Sequence, residues 1–354
     1  MPVVSSPAVT PPSHPPMRAA VAHGARDVRL EARAVPEPGP GEARVRVRAC
    51  GLCGSDRHLY ALGAYGANVV PGHEIAGVVD ALGEGAEGWS TGESVVVEPL
   101  LSCGRCEPCR RGLEAICTEG SIFGVQRDGG FAEHLVVPTR RLFRVPSDLA
   151  APVAALAEPA AVAIHGLRRV GMQSGARVLV LGAGPLGLMS LVAAQRLGAK
   201  QVWISARHPA QAQAARDLGA ERVLEESEAD LAREGPGERP DIVVETVGGA
   251  ADTLQVASRA VAPGGGISIL GLFLSEFSLP GALLFAKEVT LAWSNCYSRG
   301  KQRADFDDAV DLVDEERERL GLFTTHSVPL DEVARAYALT DERPAGFVKA
   351  TVCP

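Results

Sequence analysis

Residues 51–58, Gly-Leu-Cys-Gly-Ser-Asp-Arg-His, and the triplet Gly72-His73-Glu74 hold the parts of a metal centre. Cys53 offers a soft thiolate and His73 an imidazole about 20 residues further on, each among small residues that let the backbone turn tightly. Ser55, Asp56 and His58 crowd the cysteine. A catalytic zinc site needs two or three protein ligands, one position left open, carboxylates behind the ligands and a route for protons. The competing reading makes Cys53 a buried small hydrophobe and His73 a satisfied loop histidine, since cysteine is among the most buried residue types. Glu158-Pro159 adds a further carboxylate at the head of an apolar, alanine-rich segment reaching Val170. Pro159 suits a first helical turn, where Glu158 either complements the helix dipole or points at the metal.

Cys103, Cys106, Cys109 and Cys117 follow the pattern C-x2-C-x2-C-x7-C. Turns this tight let four sulfurs converge tetrahedrally, about 2.3 Å from one ion, with no position left open. That is the chemistry of a structural zinc. An iron–sulfur cluster of the bacterial ferredoxin type needs its fourth cysteine after three residues and then a proline, a spacing absent here.

A third group of residues suits a dinucleotide. Residues 177–181 read as a buried strand running into Gly182-Ala183-Gly184-Pro185-Leu186-Gly187. A helical stretch at 188–198 and a second strand at 201–205 follow. In that context G-x-G-x-x-G is the dinucleotide fingerprint rather than a loop serving helix–strand packing alone. Its glycines allow the turn and bring the backbone close to a pyrophosphate at the helix N-terminus. Where NAD-binding relatives of this fold place an acidic residue for the ribose 2′-hydroxyl, the chain has Ser205-Ala206-Arg207. A small residue beside a guanidinium makes room for a 2′-phosphate and pairs with it, so NADP(H) is expected over NAD(H). The alternative is that Arg207 is an ordinary surface charge.

The elements that must position these groups fall into two halves. From Met17 to about Val145 the signals are short and β-like, with strict apolar–charged alternation at 43–49 and further strands at 75–80 and 93–97 between glycine-rich turns. They predict a partly closed β-barrel, with His134 structural rather than a ligand. Beyond it, helices at 210–218 and 251–261 alternate with strands at 241–245, 267–270 and 289–293, which predicts a doubly wound parallel sheet. An acidic amphipathic helix is expected at 305–320, with Asp314-Glu315-Glu316 as a solvated face. Strand-like pieces at 325–330 and 347–352 would then return the chain to the first half.

At 354 residues the chain has room for two domains. A net charge of −8, from 35 basic and 43 acidic residues, argues against a nucleic-acid binder. No apolar run of 18 residues suggests a membrane span. Four clustered thiols in a large chain read as metal ligands in a reducing compartment, so the cytoplasm is expected. Residues 1–16 carry six prolines and no apolar core, and are expected to be a disordered leader.

Together these motifs resemble the zinc-dependent medium-chain alcohol dehydrogenases, closest to their sorbitol and threonine dehydrogenase branches. The resemblance covers residues 17–352 and includes the turn at 129–133. It implies a GroES-like catalytic domain (17–158 and 296–354, with a structural zinc lobe near 98–120) interrupted by a Rossmann domain (159–295). It further implies that Cys53 and His73 bind a catalytic zinc, with Glu74 and Glu158 competing for the remaining ligand position. Asp56 would orient His73, Ser55 and His58 would relay the alcohol proton, and the four clustered cysteines would hold a second zinc. Hydride would pass between a secondary alcohol, polyol or sugar-like substrate and the nicotinamide. Carbonyl reduction is the alternative direction, and a non-catalytic zinc- and NADPH-binding protein the alternative class. A homodimer or homotetramer is the implied assembly.

Overall fold

The computed structural model describes residues 15–224, 239–299 and 304–354. Most of the proline-rich leader therefore lies outside the described residues. Strand Glu42–Gly51 is the axis of the first domain. It pairs antiparallel with Glu74–Leu82, with His134–Pro138 and, at its end, with Ala350–Cys353. Strands Ser94–Val97 and Leu142–Arg144 extend one side, and His326–Pro329 extends the other. The hairpin Met17–Gly24/Asp27–Arg33 closes over the sheet through the bridge Ala19–Ala132. The result is the GroES-like, partly closed barrel.

Alternation at 43–49 predicts one wet face, and Arg46 and Arg48 are exposed accordingly. Arg44 departs from the pattern. It is buried, with Nε donating to Asp80 at 2.7 Å and Nη1 3.2 Å from Glu37. Asp80, Glu37 and the Pro36 carbonyl enclose the guanidinium, which the local pattern does not report.

The second domain is a six-stranded, wholly parallel sheet in the order Arg222–Leu224, Gln201–Ser205, Arg177–Leu181, Ile242–Glu245, Gly266–Ile269, Thr290–Trp293. The order reverses at Arg177–Leu181. A doubly wound sheet opens its ligand crevice at the carboxyl end of such a strand, which here is Gly182. Strand Arg222–Leu224 is too short and too close to charged residues to be read from the sequence. It adds an edge strand beside Gln201–Ser205, and just beyond that strand Ala206 N donates to Leu224 O at 3.0 Å.

Helix Ala157–Arg169 runs from the first domain into the second, and nine of its residues are buried. Against it lies Asp305–Glu315, pinned by Arg168 on Asp305 and Asp308 and by His165 on Asp305 at 2.7 Å. The continuous helix expected at 305–320 breaks at Glu316, and Arg317–Gly321 follows as a separate turn. The acidic run is also more than a solvated face. Glu315 takes a two-pronged hydrogen bond from Arg196 at 2.9 Å on the Rossmann side, and Glu316 pairs with Arg319. These carboxylates tie the return of the chain to the coenzyme-side helix Pro185–Arg196.

Candidate active site and metal centres

Cys53 stands at the N-cap of helix Gly54–Leu62. Its backbone N–H donates to Asp56 Oδ2 at 3.0 Å, the reach-back of a third-position carboxylate that fixes a helix start. Negative charge on the sulfur thus faces the positive end of a helix dipole. Asp56 is fully buried, and its second oxygen accepts from Tyr65 Oη at 3.0 Å. Tyr65 in turn meets Tyr337 Oη at 2.9 Å. The same Asp56 oxygen lies 3.5 Å from His73 Nδ1, which is buried and has no hydrogen-bond partner among the described residues. Burial alone would pull the His73 imidazole down in pKa. The Asp56 carboxylate and the Cys53 sulfur outweigh it and hold the group well above its ordinary value. Sulfur and imidazole are therefore neighbours in one buried volume.

Ser55 Oγ lies 3.4 Å from His73 Nε2. His58, on the same helix, has its pKa lowered by burial and by the adjacent Arg57. Ser55 and His58 make no direct hydrogen bond to each other among the described residues.

Glu74 and Glu158 have unequal surroundings. Glu74 is buried and its Oε2 is 2.6 Å from Lys349 Nζ, which is itself buried and also donates to Leu52 O at 3.3 Å. Burial disfavours charge on Lys349, but Glu74, Cys53 and Glu158 together raise its pKa above the ordinary value. Gly51 makes room for the pair, because a Cβ there would stand 1.9 Å from Glu74 Oε2. Glu158 enters in the first turn of helix Ala157–Arg169. Among the described residues it has no hydrogen-bond or ion-pair partner. Burial pushes its carboxyl up to about 7, opposed by His73 and reinforced by Glu74. Glu158 and His73 are close enough to interact electrostatically, but among the described residues only Cys103, Cys106, Cys109 and Cys117 bring three or more metal-ligating atoms within 4.8 Å of one another.

Four contributors lay outside the sequence reading. Lys349 sits in an apolar run, Val348-Lys349-Ala350, whose inward lysine was the available signal. Tyr65 and Tyr337 carry no motif. Cys296 adopts a left-handed φ of 51° and is coupled electrostatically to Glu158, His73 and Cys53, with burial pushing its thiol up.

The second centre is simpler. The sulfurs of Cys103, Cys106, Cys109 and Cys117 all lie within 4.8 Å of one another, and none is in a disulfide. Backbone N–H groups of Cys103 and Cys106 reach Cys117 Sγ and Cys103 Sγ at 3.3 Å. Four converging thiols bonded to backbone amides fit a closed zinc site, where ligands sit about 2.3 Å from the metal. His134 is near Asp80, at 3.7 Å, and far from either role.

The fingerprint loop also fits its ligand. Gly187 is held so close that a Cβ would meet Gly182 O at 1.8 Å, while a Cβ on Gly184 would meet nothing within 4 Å. The loop is therefore closed on the packing side and open on the other, at the N-terminus of Pro185–Arg196. That open side can take a phosphate. Pro185 and Leu186 form the first helical turn. Ser205 is turned inward, its Oγ accepting from Gly182 N at 3.0 Å, and Ala206 is buried, whereas Arg207 is exposed.

The Lys349–Glu74 pair yields a testable consequence. Lys349→Met should cost about 3–5 kcal/mol, because it strands a buried carboxylate. Adding Glu74→Gln should recover most of that loss in urea unfolding. Equal midpoints for the single and double variants would contradict the pairing.

Two family models match the chain. The alcohol dehydrogenase GroES-like domain covers residues 39–147 and the zinc-binding dehydrogenase domain covers residues 185–315. L-threonine 3-dehydrogenase of Pyrococcus abyssi is 36% identical over 272 residues, 74% of this chain and 77% of that one. Sorbitol dehydrogenase of Bacillus subtilis is 35% identical over 299 residues, 80% and 84% of the two chains. Among solved structures, a Sinorhizobium meliloti protein of the zinc-binding dehydrogenase type, bound to NADP, superposes with a TM-score of 0.87 at 29% identity over 96% of this chain and 100% of that one. With a barrel that carries the thiol–imidazole site and a Rossmann sheet that carries the open glycine loop, the chain belongs to the zinc-dependent medium-chain alcohol dehydrogenases.

Proposed function

We propose that the protein interconverts a secondary alcohol, polyol or sugar-like substrate and its carbonyl, using NADP(H). The observation that carries this reading is the buried Glu158, without a partner among the described residues and within electrostatic reach of His73, together with a glycine loop open on one side. Cys53, His73 and Glu158 would be the ligands of the catalytic zinc, and Glu74, occupied by Lys349, would not. Bound there, zinc would supply Lewis-acid polarisation of the substrate oxygen. Asp56 fixes the His73 ring and the start of the Cys53 helix. Ser55, beside His73, takes the substrate proton, and His58, whose pKa burial and Arg57 lower, accepts it further out. Gly182, Gly184, Pro185, Leu186 and Gly187 would seat the pyrophosphate so that hydride donor and acceptor are already close. Ser205 acts at one remove, by anchoring Gly182. Cys103, Cys106, Cys109 and Cys117 would hold the structural zinc.

The NADP preference rests on Ala206 and Arg207. No carboxylate stands where it would repel a 2′-phosphate, and a guanidinium follows. Among the described residues no helix is long and apolar enough to cross a membrane, and every cysteine is free, which suits a reducing cytoplasm. We also infer a homodimer or homotetramer. Edge strand Thr290–Trp293 is unpaired on its outer side, with Trp293, Phe277 and Phe285 exposed nearby.

Two measurements follow. Oxidation of polyols and secondary alcohols by the zinc-loaded protein should stop with a chelator, and kcat/KM should favour NADP over NAD by about tenfold or more, the size of one charge-assisted contact. A preference for NAD would remove the coenzyme assignment, and no turnover in either direction would remove the enzymatic one. Light scattering should give two or four chains per particle, and a monomer would contradict the assembly.

A further inference from the structure

We propose that Arg343 and His208, one from each domain, join Arg207 in a phosphate-monoester site that reads the 2′-phosphate of NADP across the domain boundary. This rests on the NADP reading above. His208 follows Arg207 directly and is the N-cap of helix Pro209–Asp217, at the end of the second Rossmann strand. With the pyrophosphate at Gly184, the adenosine ribose of a doubly wound fold lies at that strand end. Arg343 comes from the other domain, where it ends helix Val333–Glu342.

Its Nη1 donates to His208 Nε2 at 2.8 Å, and its Nε donates to Thr340 O at 3.3 Å. A guanidinium can only donate, so that imidazole nitrogen accepts and carries no proton. Arg343 is exposed and holds a left-handed φ of 44°, a region that side chains rarely enter. Burial of its guanidinium and the charges of Arg57 and Arg207 all disfavour its protonated form. Asp341 offsets them, yet it is already shared by Arg57 Nε at 3.5 Å and Arg26 Nη1 at 3.6 Å. Guanidiniums brought together from two domains, on a strained backbone and at a helix start, suit a dianionic ligand. Arg offers a planar fork to phosphate oxygens, and the His208 ring orients that fork. The site is incomplete in either domain alone. Binding NADP would therefore tie the coenzyme domain to the catalytic domain at a point remote from the zinc.

The test is calorimetric titration of the full chain with 2′,5′-ADP and with 5′-AMP, which lack the nicotinamide and differ in the 2′-phosphate. The wild type should bind 2′,5′-ADP more tightly. Arg343→Gln should weaken 2′,5′-ADP by about ten- to a hundredfold and leave 5′-AMP within about twofold, the difference made by one charge-assisted phosphate contact. Arg343→Lys should keep part of the preference. If the wild type prefers 2′,5′-ADP and Arg343→Gln retains that preference in full, the two-domain site is overturned and the coenzyme reading stands on Arg207. If the wild type does not distinguish the two nucleotides, the coenzyme reading falls and this inference falls with it.

Discussion

Three carboxylates, a thiol and an imidazole share one buried volume, and each charge there must be met by another group. Asp56 is met by a backbone N–H, the Tyr65 phenol and His73. Glu74 is met by Lys349. Glu158 has no partner among the described residues. That imbalance organises the site, because a buried carboxylate without a partner favours positive charge nearby. It also explains why distant parts of the chain converge there. The Cys53 helix brings the thiol and Asp56, the start of the Glu74 strand brings His73 and Glu74, the head of helix Ala157–Arg169 brings Glu158, and Lys349 stands just before the last strand.

The two proposed metal centres differ in how they are built. The four-cysteine lobe takes all its ligands from one short segment, bonded to its own backbone amides, so four thiols close on each other without help from the rest of the fold. The Cys53 centre draws on both sides of the domain boundary, with Glu158 on the helix that enters the Rossmann half. A closed site made locally suits a structural metal, and a site assembled at a cleft suits one that must expose a face to substrate. The ion pairs of Arg168 and Arg196 hold that cleft by fixing Asp305–Glu315 against both neighbouring helices.

What was legible in the sequence was what is local. The Cys-x2-Cys spacing, the glycine fingerprint after a strand, and the thiol and histidine in small-residue turns all declare themselves within a few residues. Groups that act through tertiary contact did not. Lys349 lies almost 300 residues from Leu52, whose carbonyl it bonds. Tyr337 reaches Asp56 through Tyr65, and Arg44 is drawn in by Asp80, 36 residues along the chain. The acidic run at 314–316 reads as solvated because its arginine partners are invisible to helical periodicity. The sequence left the choice between Glu74 and Glu158 open for the same reason, since Lys349, which sets their surroundings apart, pairs with Glu74 only through the tertiary fold.

The central claim is that the chain carries two zinc sites of different construction, with Cys53 in only one of them. Native mass spectrometry of the purified protein, with and without Cys53→Ser, tests it directly. The account requires two zinc ions per chain in the wild type and one in the variant. A wild type with a single zinc, or a variant that keeps both, would contradict it.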